Sequence, residues 1–364
     1  MKAAVLRRPG DPLEVVEVEL QGPGPGEVRV RIEAAGVCHS DLHYLTGDLP
    51  CKLPIVPGHE GTGTVVEIGV GVTDVQLGDR VIFTWRPSCG SCEYCTTGTP
   101  ALCPLGATHA QSNGLIRGGT RLTHAGADVH HLMGVSCFAE EAIVSAESLI
   151  AIPKDIPTSI AAIMGCAIIT GVGTVINGMG GAAGESVLII GAGGVGLSAV
   201  MGAAAIGAHP IVVADIDDAK LALATELGAT HVINSQSTDA PAEIQRILGR
   251  PADFAIDCTG VIAVVEEAAD VVGMLGTLIL VGGAPAEARF SLDHLRTLWG
   301  KRIVGTLGGG ANSQDLIPAL LGLYKQGRFP LDRLVTTYDF ADLDTAIAEA
   351  TSGSTIKAVL TLND

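Results

Sequence analysis

A glycine-rich turn between an apolar segment and an alanine-rich segment constrains the fold of this chain more than any other feature. The turn reads Gly191-Ala192-Gly193-Gly194-Val195-Gly196; the apolar run 186–190 precedes it, and a helix is predicted over 197–207. Glycines at these positions allow a tight turn, a close approach of the backbone to a pyrophosphate, and close packing of helix on strand. The helix N-terminus then offers unpaired N–H groups to the phosphates. The turn therefore predicts a dinucleotide-binding crossover.

A second apolar run, 210–214, ends at Asp215. A carboxylate at this distance binds both ribose hydroxyls and repels a 2′-phosphate, which favours NAD over NADP. The alternative is a structural turn followed by a solvated aspartate. Alternating strands and helices continue to residue 305, with six strands predicted at 186–190, 210–214, 231–233, 253–257, 276–281 and 302–305. This alternation indicates an α/β fold with a doubly wound parallel sheet of the Rossmann type.

The N-terminal part has the period of antiparallel strands. Apolar and charged residues alternate in 13–18 and 28–32, and β-branched runs follow at 63–68 and 79–83. This pattern predicts a small β-barrel with one solvated face. The expected domains are a catalytic domain over 1–167 with a metal-bound lobe at about 85–137, a nucleotide-binding domain over 168–307, and a return to the first domain over 308–364.

The acidic composition excludes one class of partner. The chain has 22 Lys and Arg against 39 Asp and Glu, a formal net charge of −17, so no basic face is expected for nucleic acid. The segments 156–184 and 186–214 carry no charged residue. Glycines interrupt both, so buried elements are expected rather than membrane spans. The N-terminus lacks an apolar signal segment, and reduced thiols are expected for metal binding, which together predict a cytoplasmic protein.

Four of the nine cysteines have metal-binding spacing. They are Cys89, Cys92, Cys95 and Cys103, within a long segment poor in apolar periodicity. Four thiolates so closely spaced are typical of a closed structural zinc site that stabilises a lobe without a core of its own. An iron–sulfur cluster is the alternative.

Three further metal donors are dispersed. Cys38, His59 and Cys166 would form a Cys2His set with an open fourth position, as a catalytic zinc requires, but spacing alone does not join them. Taken singly, Cys166 is equally consistent with a buried apolar residue, and His59 with a hydrogen-bonded loop histidine.

The motifs taken together identify a family. Over essentially its whole length the chain resembles zinc-dependent alcohol dehydrogenases of the medium-chain dehydrogenase/reductase superfamily, whose catalytic domain is a GroES-like barrel. The motifs that carry the resemblance are residues 36–41, 58–61, the four-cysteine lobe, Gly165-Cys166 with Thr170-Gly171, and the glycine turn with Asp215. The long lobe and the Pro-Leu-Gly segment after Cys103 resemble the dimeric, class III-like branch more than the short tetrameric forms. The resemblance implies two zinc ions per chain and NAD.

The same resemblance assigns roles around the catalytic zinc. Cys38, His59 and Cys166 would be its ligands, Glu60 a neighbouring carboxylate, and Asp41 a partner that orients His59. Zinc would act as a Lewis acid on an alcohol while hydride passes to nicotinamide. Ser40 and His43 would carry the proton to the surface. The alternatives are a helix-capping hydroxyl for Ser40 and an exposed helix-face histidine for His43.

Further residues would contact the cofactor and the substrate. The resemblance places at the cofactor His39, Thr170, Gly191, Gly193, Gly194, Val195, Gly196, Asp215, Lys220, Val281, Gly283 and Lys357. Solvated lysines are the alternative for Lys220 and Lys357. Trp85 would narrow the site to primary alcohols and aldehydes, with core packing as the alternative. Leu115, Phe138 and Leu307 would continue an apolar channel for aromatic or longer-chain alcohols.

Two other functions stay open at this point. A thiol-adduct formaldehyde dehydrogenase would use Arg121 to bind the carboxylate of the adduct, although the segment after His43 lacks the paired acids of that branch. The second is a non-catalytic dinucleotide-binding module. A zinc-ribbon protein that binds nucleic acid is a third alternative, and the acidic charge of the chain argues against it. The expected partners are a small-molecule alcohol or aldehyde and a second copy in a homodimer, with a homotetramer as the alternative. Cys51, Cys137 and Cys258 receive no role.

Overall fold

The chain forms two compact units. The computed structural model describes residues 1–107, 113–181 and 183–362. The first unit combines Met1–Cys166 with Asn312–Asp364, and the second is Ala167–Ala311. The lobe predicted at about 85–137 is described apart from residues 108–112. The chain returns to the first unit at Asn312 rather than at the expected residue 308, because Gly309 packs against the backbone of Gly173 in the second unit.

The first unit is built mainly from strands, numbered here in chain order. Its strands are β1 Lys2–Val5, β2 Glu14–Glu17, β3 Glu19–Leu20, β4 Glu27–Gly36, β5 Ile55–Val56, β6 Glu60–Ile68, β7 Arg80–Phe83, β8 Leu122–His124, β9 Ala127–His131, β10 Glu141–Ser145, β11 Leu149–Ile152, β18 Val335–Asp339 and β19 Lys357–Thr361. Its helices include α1 His39–Thr46, α2 Glu93–Thr96, α9 Ser313–Lys325 and α10 Leu343–Ser352. Helix α3, Thr158–Gly178, begins in this unit and continues into the second.

Strand β4 organises the sheet of the first unit. It pairs antiparallel with β6, β10 and β19, and the sheet runs in the order β11-β7-β6-β4-β19-β18, with β10 pairing β4. Val28, Val30 and Ile32 are buried, whereas Arg29 and Arg31 are partly or fully exposed, as the period of two requires. The expected barrel with one solvated face is therefore confirmed. Strands β3, β8, β9 and β5 form a separate sheet, and β1 pairs with β2.

The second unit contains a six-stranded, fully parallel sheet in the order β14-β13-β12-β15-β16-β17. Its strands are β12 Val187–Ile190, β13 Ile211–Asp215, β14 His231–Asn234, β15 Ala252–Asp257, β16 Val272–Leu280 and β17 Arg302–Gly305. Its helices are α4 Gly194–Ile206, α5 Asp218–Glu226, α6 Ala240–Leu248, α7 Ile262–Val271 and α8 His294–Thr297. The strand order reverses between β12 and β15, so the crevice at their carboxyl ends is the expected ligand site. The Rossmann prediction is confirmed.

Helix α3 is long and apolar enough to pass a length and composition test for a membrane span. Its most apolar window is 89% buried inside the structure, as in the core helix of a globular fold. The backbone widens to π-helical hydrogen bonding at Met164–Ile168, the segment that carries Cys166.

Candidate active site

The four lobe cysteines converge on one point. The Sγ atom of Cys92 lies 3.5 Å from that of Cys95 and 3.7 Å from that of Cys103, and all four ligand atoms lie within 4.8 Å of one another. A tetrahedral zinc with Zn–S bonds of about 2.3 Å places its sulfur atoms about 3.8 Å apart. Backbone N–H groups of Ser91 and Cys92 lower the pKa of Cys89 to about 6, which favours a thiolate. The donor set therefore fits zinc.

The three dispersed donors also meet, because long-range strand pairing joins their elements. Cys38 caps α1 at the end of β4, His59 directly precedes β6, and these two strands are paired. Cys166 lies in α3, whose approach depends on Gly165: a Cβ there would overlap the Phe83 carbonyl oxygen. The ligand atoms of Cys38, His59, Glu60 and Cys166 lie within 4.8 Å of one another.

A buried carboxylate fixes the orientation of His59. Asp41 Oδ1 accepts hydrogen bonds from His59 Nδ1, at 2.9 Å, and from the Gly58 N–H, at 3.2 Å. Its Oδ2 accepts from the Cys38 N–H at 3.1 Å. With Nδ1 engaged, His59 Nε2 is left buried with no hydrogen-bond partner in the part of the chain that the structure describes. A buried nitrogen without a partner costs free energy unless a ligand occupies it, so the site fits a metal ion.

The contact between the two cluster thiols shifts their pKa values in opposite directions. A hydrogen bond from Cys166 lowers the pKa of Cys38 well below its usual range, against burial, which raises it. The same contact, together with burial, raises the pKa of Cys166. Burial alone would lower the pKa of His59, but the charge and hydrogen bond of Asp41 raise it well above the usual value.

Glu60 is paired with Lys357 beside this cluster. Lys357 Nζ donates to Glu60 Oε2 at 2.5 Å and to the Val37 carbonyl oxygen at 3.0 Å, and both charged side chains are buried. Burial raises the pKa of Glu60 to about 7, against the attraction of Lys357. Burial lowers the pKa of Lys357, but the charge and hydrogen bond of Glu60, together with the charges of Cys38 and Cys166, raise it overall. Residue patterns do not predict this pair, because the two residues lie far apart in the chain. The resemblance places Lys357 at the cofactor pyrophosphate, and that contact stays a prediction.

The backbone beneath the cluster is packed too tightly for side chains. Gly58 has φ +89°, and a Cβ there would lie 2.5 Å from Phe138 Cδ1 and 2.9 Å from Cys137 Sγ. The Cys137 thiol donates to the Glu60 carbonyl oxygen at 3.0 Å. Cys137, left without a role by sequence, is therefore part of the support of the site.

Two of the four predicted substrate-channel residues are corrected. Phe138 and Leu115 are 0% exposed and belong to the packed interior, so neither presents surface to a substrate. The sequence shows only that these positions are apolar, which core and channel residues share. Leu307 lies in the second unit with 46% of its surface exposed, and its role stays a prediction.

Trp85 is the predicted pocket residue that does contact the cluster. Its half-buried indole meets the His59 ring edge-on, with centroids 6.4 Å apart and planes at 81°. One side of the indole packs on the apolar core of the first unit. Trp85 therefore packs on the core and also contacts His59, so the two roles considered for this residue coexist.

The predicted proton path lies on α1. Ser40 is half-buried near the start of the helix, and His39 is exposed. His43 Nδ1 lies 3.2 Å from Asp48 Oδ2, which also accepts from Thr46 Oγ1 at 2.8 Å. Asp48 is a partner for His43 that sequence reasoning missed, and its only sequence signal is a carboxylate just after the helix.

The second unit places the glycine turn as expected at the carboxyl end of β12. Gly191 has φ +93°, and a Cβ at Gly196 would overlap the Gly191 carbonyl oxygen. Gly193 is the N-cap of α4, and Gly194 begins the helix. The backbone therefore requires glycine at two of these positions, which keeps the helix N-terminus open for phosphates.

Asp215 is pre-oriented by this turn. Its Oδ2 accepts from the Ala192 N–H at 2.5 Å, and its Oδ1 accepts from Ile216 and Asp217. Lys220 lies in α5 just beyond it. Val281 and Gly283 follow the end of β16, and Thr170 is buried in α3. Contacts of these four with a cofactor stay predictions.

Arg121, considered for binding an adduct, is already paired. Its Nε and Nη2 donate to the two carboxylate oxygens of Glu27 at 2.8 and 2.9 Å. Glu27 is 1% exposed, so the arginine neutralises a buried charge. The alternative thiol-adduct function assigns Arg121 to a substrate carboxylate, but in the structure Glu27 engages this guanidinium group.

Comparisons with known proteins agree with this geometry. The family model described as alcohol dehydrogenase GroES-like domain matches residues 24–154, and the one described as zinc-binding dehydrogenase matches 194–325. A putative alcohol dehydrogenase D from Mycobacterium tuberculosis is 40% identical over 98% of both chains. An NDMA-dependent alcohol dehydrogenase from Amycolatopsis methanolica is 38% identical over 99% of this chain and 98% of its own.

Solved structures agree as well. The crystal structure of benzyl alcohol dehydrogenase from Acinetobacter calcoaceticus is similar with a TM-score of 0.94 and 35% identity, covering 100% of this chain and 99% of its own. Fold, metal-donor clusters and relatives lead to one conclusion. The chain belongs to the zinc-dependent alcohol dehydrogenases of the medium-chain dehydrogenase/reductase superfamily.

Proposed function

We propose that this protein transfers hydride between NAD(H) and primary alcohols or aldehydes, with aromatic alcohols of the benzyl type among its substrates. The observation that carries the proposal is the convergence of Cys38, His59 and Cys166 around a buried His59 Nε2 that has no other partner in the described chain. The similarity to a benzyl alcohol dehydrogenase supports the aromatic substrate class.

The cluster would hold the metal through Cys38 Sγ, His59 Nε2 and Cys166 Sγ, and Cys89, Cys92, Cys95 and Cys103 would hold a second ion. A zinc ion in the first site supplies Lewis acidity, which makes an alcohol hydroxyl more acidic. Asp41 holds the His59 ring so that Nε2 faces the cluster. Glu60, neutralised by Lys357, adds no unpaired negative charge to the site.

The residues of α1 would carry the proton. We infer that Ser40 Oγ accepts the proton of the substrate hydroxyl as it gives up its own hydroxyl proton toward the cofactor ribose, and that His43 takes the proton on and releases it to solvent. The contact between His43 Nδ1 and Asp48 supports this role because it fixes the imidazole ring at the partly exposed face of the helix. Trp85 would limit the space next to His59, which favours primary over secondary alcohols.

In the second unit the turn 191–196 would bind the pyrophosphate, and Asp215 the ribose of the adenosine. We infer further contacts from His39, Thr170, Lys220, Val281 and Gly283. We therefore assign catalysis to the first unit and NAD binding to the second, whose bounds lie within a few residues of the expected domains 1–167 with 308–364 and 168–307.

NADH formation tests the proposal. We expect wild-type protein to reduce NAD with benzyl alcohol and Cys166→Ala to lose at least about a hundred-fold in kcat/KM, because a three-ligand site loses one ligand. Cys258→Ala is the matched control, since Cys258 is a half-buried cysteine of the second unit that belongs to neither metal-donor cluster. Equal activity of Cys166→Ala and wild type would refute the proposal.

The same assay separates the alternatives. A thiol-adduct enzyme would oxidise hydroxymethyl-glutathione or hydroxymethyl-mycothiol faster than benzyl alcohol. The pairing of Arg121 with Glu27 argues against this outcome. A binding module would take up zinc and NAD and oxidise no alcohol.

We also infer a homodimer in a reducing cytoplasm. Apolar side chains around β16 and α8 are strongly exposed: Met274, Leu275, Leu295, Leu298 and Trp299. They adjoin β17, which ends the order of the parallel sheet, so that within the described ranges one edge of this strand pairs with no other strand. Light scattering should give twice the chain mass for wild type and the monomer mass for Leu298→Glu, whereas four times the chain mass would indicate a tetramer.

A further inference from the structure

One arginine joins the cysteine lobe to the indole beside the candidate zinc site. Arg86 follows Trp85 just after β7, and its Nε donates to the Ala101 carbonyl oxygen at 2.5 Å. Ala101 lies in the short helical turn that directly precedes Cys103. The Arg86 side chain is therefore held by the lobe.

The guanidinium group also lies over the indole. Arg86 Cζ is 5.9 Å from the centroid of the Trp85 ring, within the range of a cation–π interaction. A second contact of the indole is the edge-on approach to His59, with ring centroids 6.4 Å apart. A continuous series of contacts thus runs from the Ala101 carbonyl group through Arg86 and Trp85 to His59.

The local backbone supports this arrangement. A Cβ at Gly106 would lie 3.1 Å from Arg86 Cγ and 2.7 Å from the Pro87 carbonyl oxygen, so glycine lets the lobe close over the arginine stem. The Arg86 N–H lies 3.4 Å from Thr84 Oγ1, and Thr84 Oγ1 lies 3.2 Å from Ser313 Oγ. Both ends of the residue are therefore fixed.

We propose that Arg86 is a positioning residue for substrate selection, holding the Trp85 indole against His59 and making selectivity depend on the folded cysteine lobe. The proposal rests on the proposed function, in which Trp85 narrows the space for the alcohol. Without the guanidinium group, the indole would lose its contact on the lobe side and could rotate about its side-chain torsions. The wider space would then admit an alcohol carrying a methyl group on the carbinol carbon.

Kinetics with two alcohols test this selectivity. We compare kcat/KM for benzyl alcohol and for its α-methyl analogue in wild type, Arg86→Met and Arg86→Lys. The preference for benzyl alcohol should fall about five-fold in Arg86→Met, the size expected when one partly exposed cation–π contact is lost. Arg86→Lys keeps a cation and a donor and should stay within about two-fold of wild type. An unchanged preference in Arg86→Met would overturn the proposal.

A second arginine of the lobe provides the matched control. Arg117 donates to Glu147 through Nη1 and Nη2, and its Nη1 also donates to the Gly26 carbonyl oxygen. Among the described residues it makes no cation–π contact with the indole. Arg117→Met should leave the preference unchanged. An equal loss in Arg117→Met and Arg86→Met would mean that general loosening of the lobe, not Arg86, sets the selectivity.

Fluorine NMR tests the position of the indole without turnover. The chain contains two tryptophans, so fluorotryptophan labelling gives two resonances, and Trp85→Phe identifies one of them. Arg86→Met should shift or broaden the Trp85 resonance and leave that of Trp299 in place. If Arg86→Met does not fold, Arg86→Gln, which can still donate to Ala101 but carries no charge, should give the same shift. An unmoved Trp85 resonance would overturn the proposal even if the protein oxidised no alcohol, so its failure is distinguishable from failure of the proposed function.

Discussion

Replacing Asp41 by asparagine should weaken zinc binding at the Cys38 cluster by about ten- to a hundred-fold. The carboxylate accepts three hydrogen bonds in a fully buried setting, from His59 Nδ1, the Gly58 N–H and the Cys38 N–H. Asparagine has one acceptor oxygen and one NH₂ group, so its NH₂ group must face an N–H donor in place of either Oδ1 or Oδ2 of the aspartate.

The magnitude follows from these contacts. A hydrogen bond to a charged group contributes about 1.5–3 kcal/mol. If the asparagine oxygen accepts from His59 Nδ1 and the Gly58 N–H, the hydrogen bond from the Cys38 N–H is lost. If the amide group is turned over, its nitrogen faces His59 Nδ1, and the imidazole ring loses the hydrogen bond that orients it. Either loss corresponds to the ten- to hundred-fold range typical of residues that orient metal-bound histidines.

Competition with a chromophoric chelator measures the change. Wild-type protein should release zinc in two phases, and in Asp41→Asn one phase should shift to lower chelator concentration while the other, from the cysteine lobe, stays in place. Asp79→Asn is the control, because Asp79 accepts a backbone N–H from Gln76 in a turn outside the cluster. If Asp41→Asn kept both phases and full activity within about two-fold, the assigned role of the Asp41 carboxylate would be refuted.

Three further predictions concern the second unit. Gly196→Ala should lower both thermal stability and NAD affinity, because its Cβ would overlap the Gly191 carbonyl oxygen. Gly193→Ala, whose Cβ would meet no atom within 4 Å, should keep the stability and weaken NAD binding only; equal melting temperatures for the two variants would contradict this reading. Asp215→Ala should raise the KM for NAD by about ten-fold and the relative use of NADP, since the acceptor for the ribose hydroxyls is lost; an unchanged ratio of the two cofactors in steady-state kinetics would exclude the role. A hydrogen bond from Arg250 lowers the pKa of Asp253 to about 2, below the ordinary 3.8. Because the folded pKa is the lower one, Asp253→Asn should cost about 1 kcal/mol of unfolding free energy at neutral pH, after solvent screening of the exposed arginine. That difference should disappear as the pH falls from about 4 to 2 in urea titrations, and a difference that persists at pH 2 would refute the electrostatic origin.

The sequence predicts the parallel sheet and the glycine turn well because both depend on local chemistry. Buried parallel strands must be apolar throughout, and the turn needs glycine at Gly191 and Gly196 for backbone reasons alone. The cysteine lobe is predictable for the same reason, since its four donors lie close together along the chain.

The candidate active site depends on distant pairings that residue patterns do not encode. Cys38 and His59 meet because β4 pairs with β6, and Lys357 reaches Glu60 because β19 pairs with the same β4. Only the resemblance to a family joined the three metal donors in advance. The resemblance did not show the ion pair of Glu60 with Lys357.

Side-chain burial is the other property that the sequence leaves open. Leu115 and Phe138 are apolar, and an apolar residue suits the wall of a substrate channel as well as a packed core. The structure shows that both are fully buried. The alternative thiol-adduct function needs an available Arg121, but the buried Glu27 binds it. The burial of a side chain and its ion-pair partner depend on residues that are distant in the sequence and come close only in the folded chain.

The most direct test of the account is zinc content measured together with activity in two cysteine variants. Wild-type protein should contain about two zinc ions per chain. Cys38→Ser should contain about one and lose NADH formation with benzyl alcohol, and Cys95→Ser should lose the other ion, that of the lobe. Two ions and full activity in Cys38→Ser would contradict the claim that Cys38, His59 and Cys166 hold the metal that supports hydride transfer.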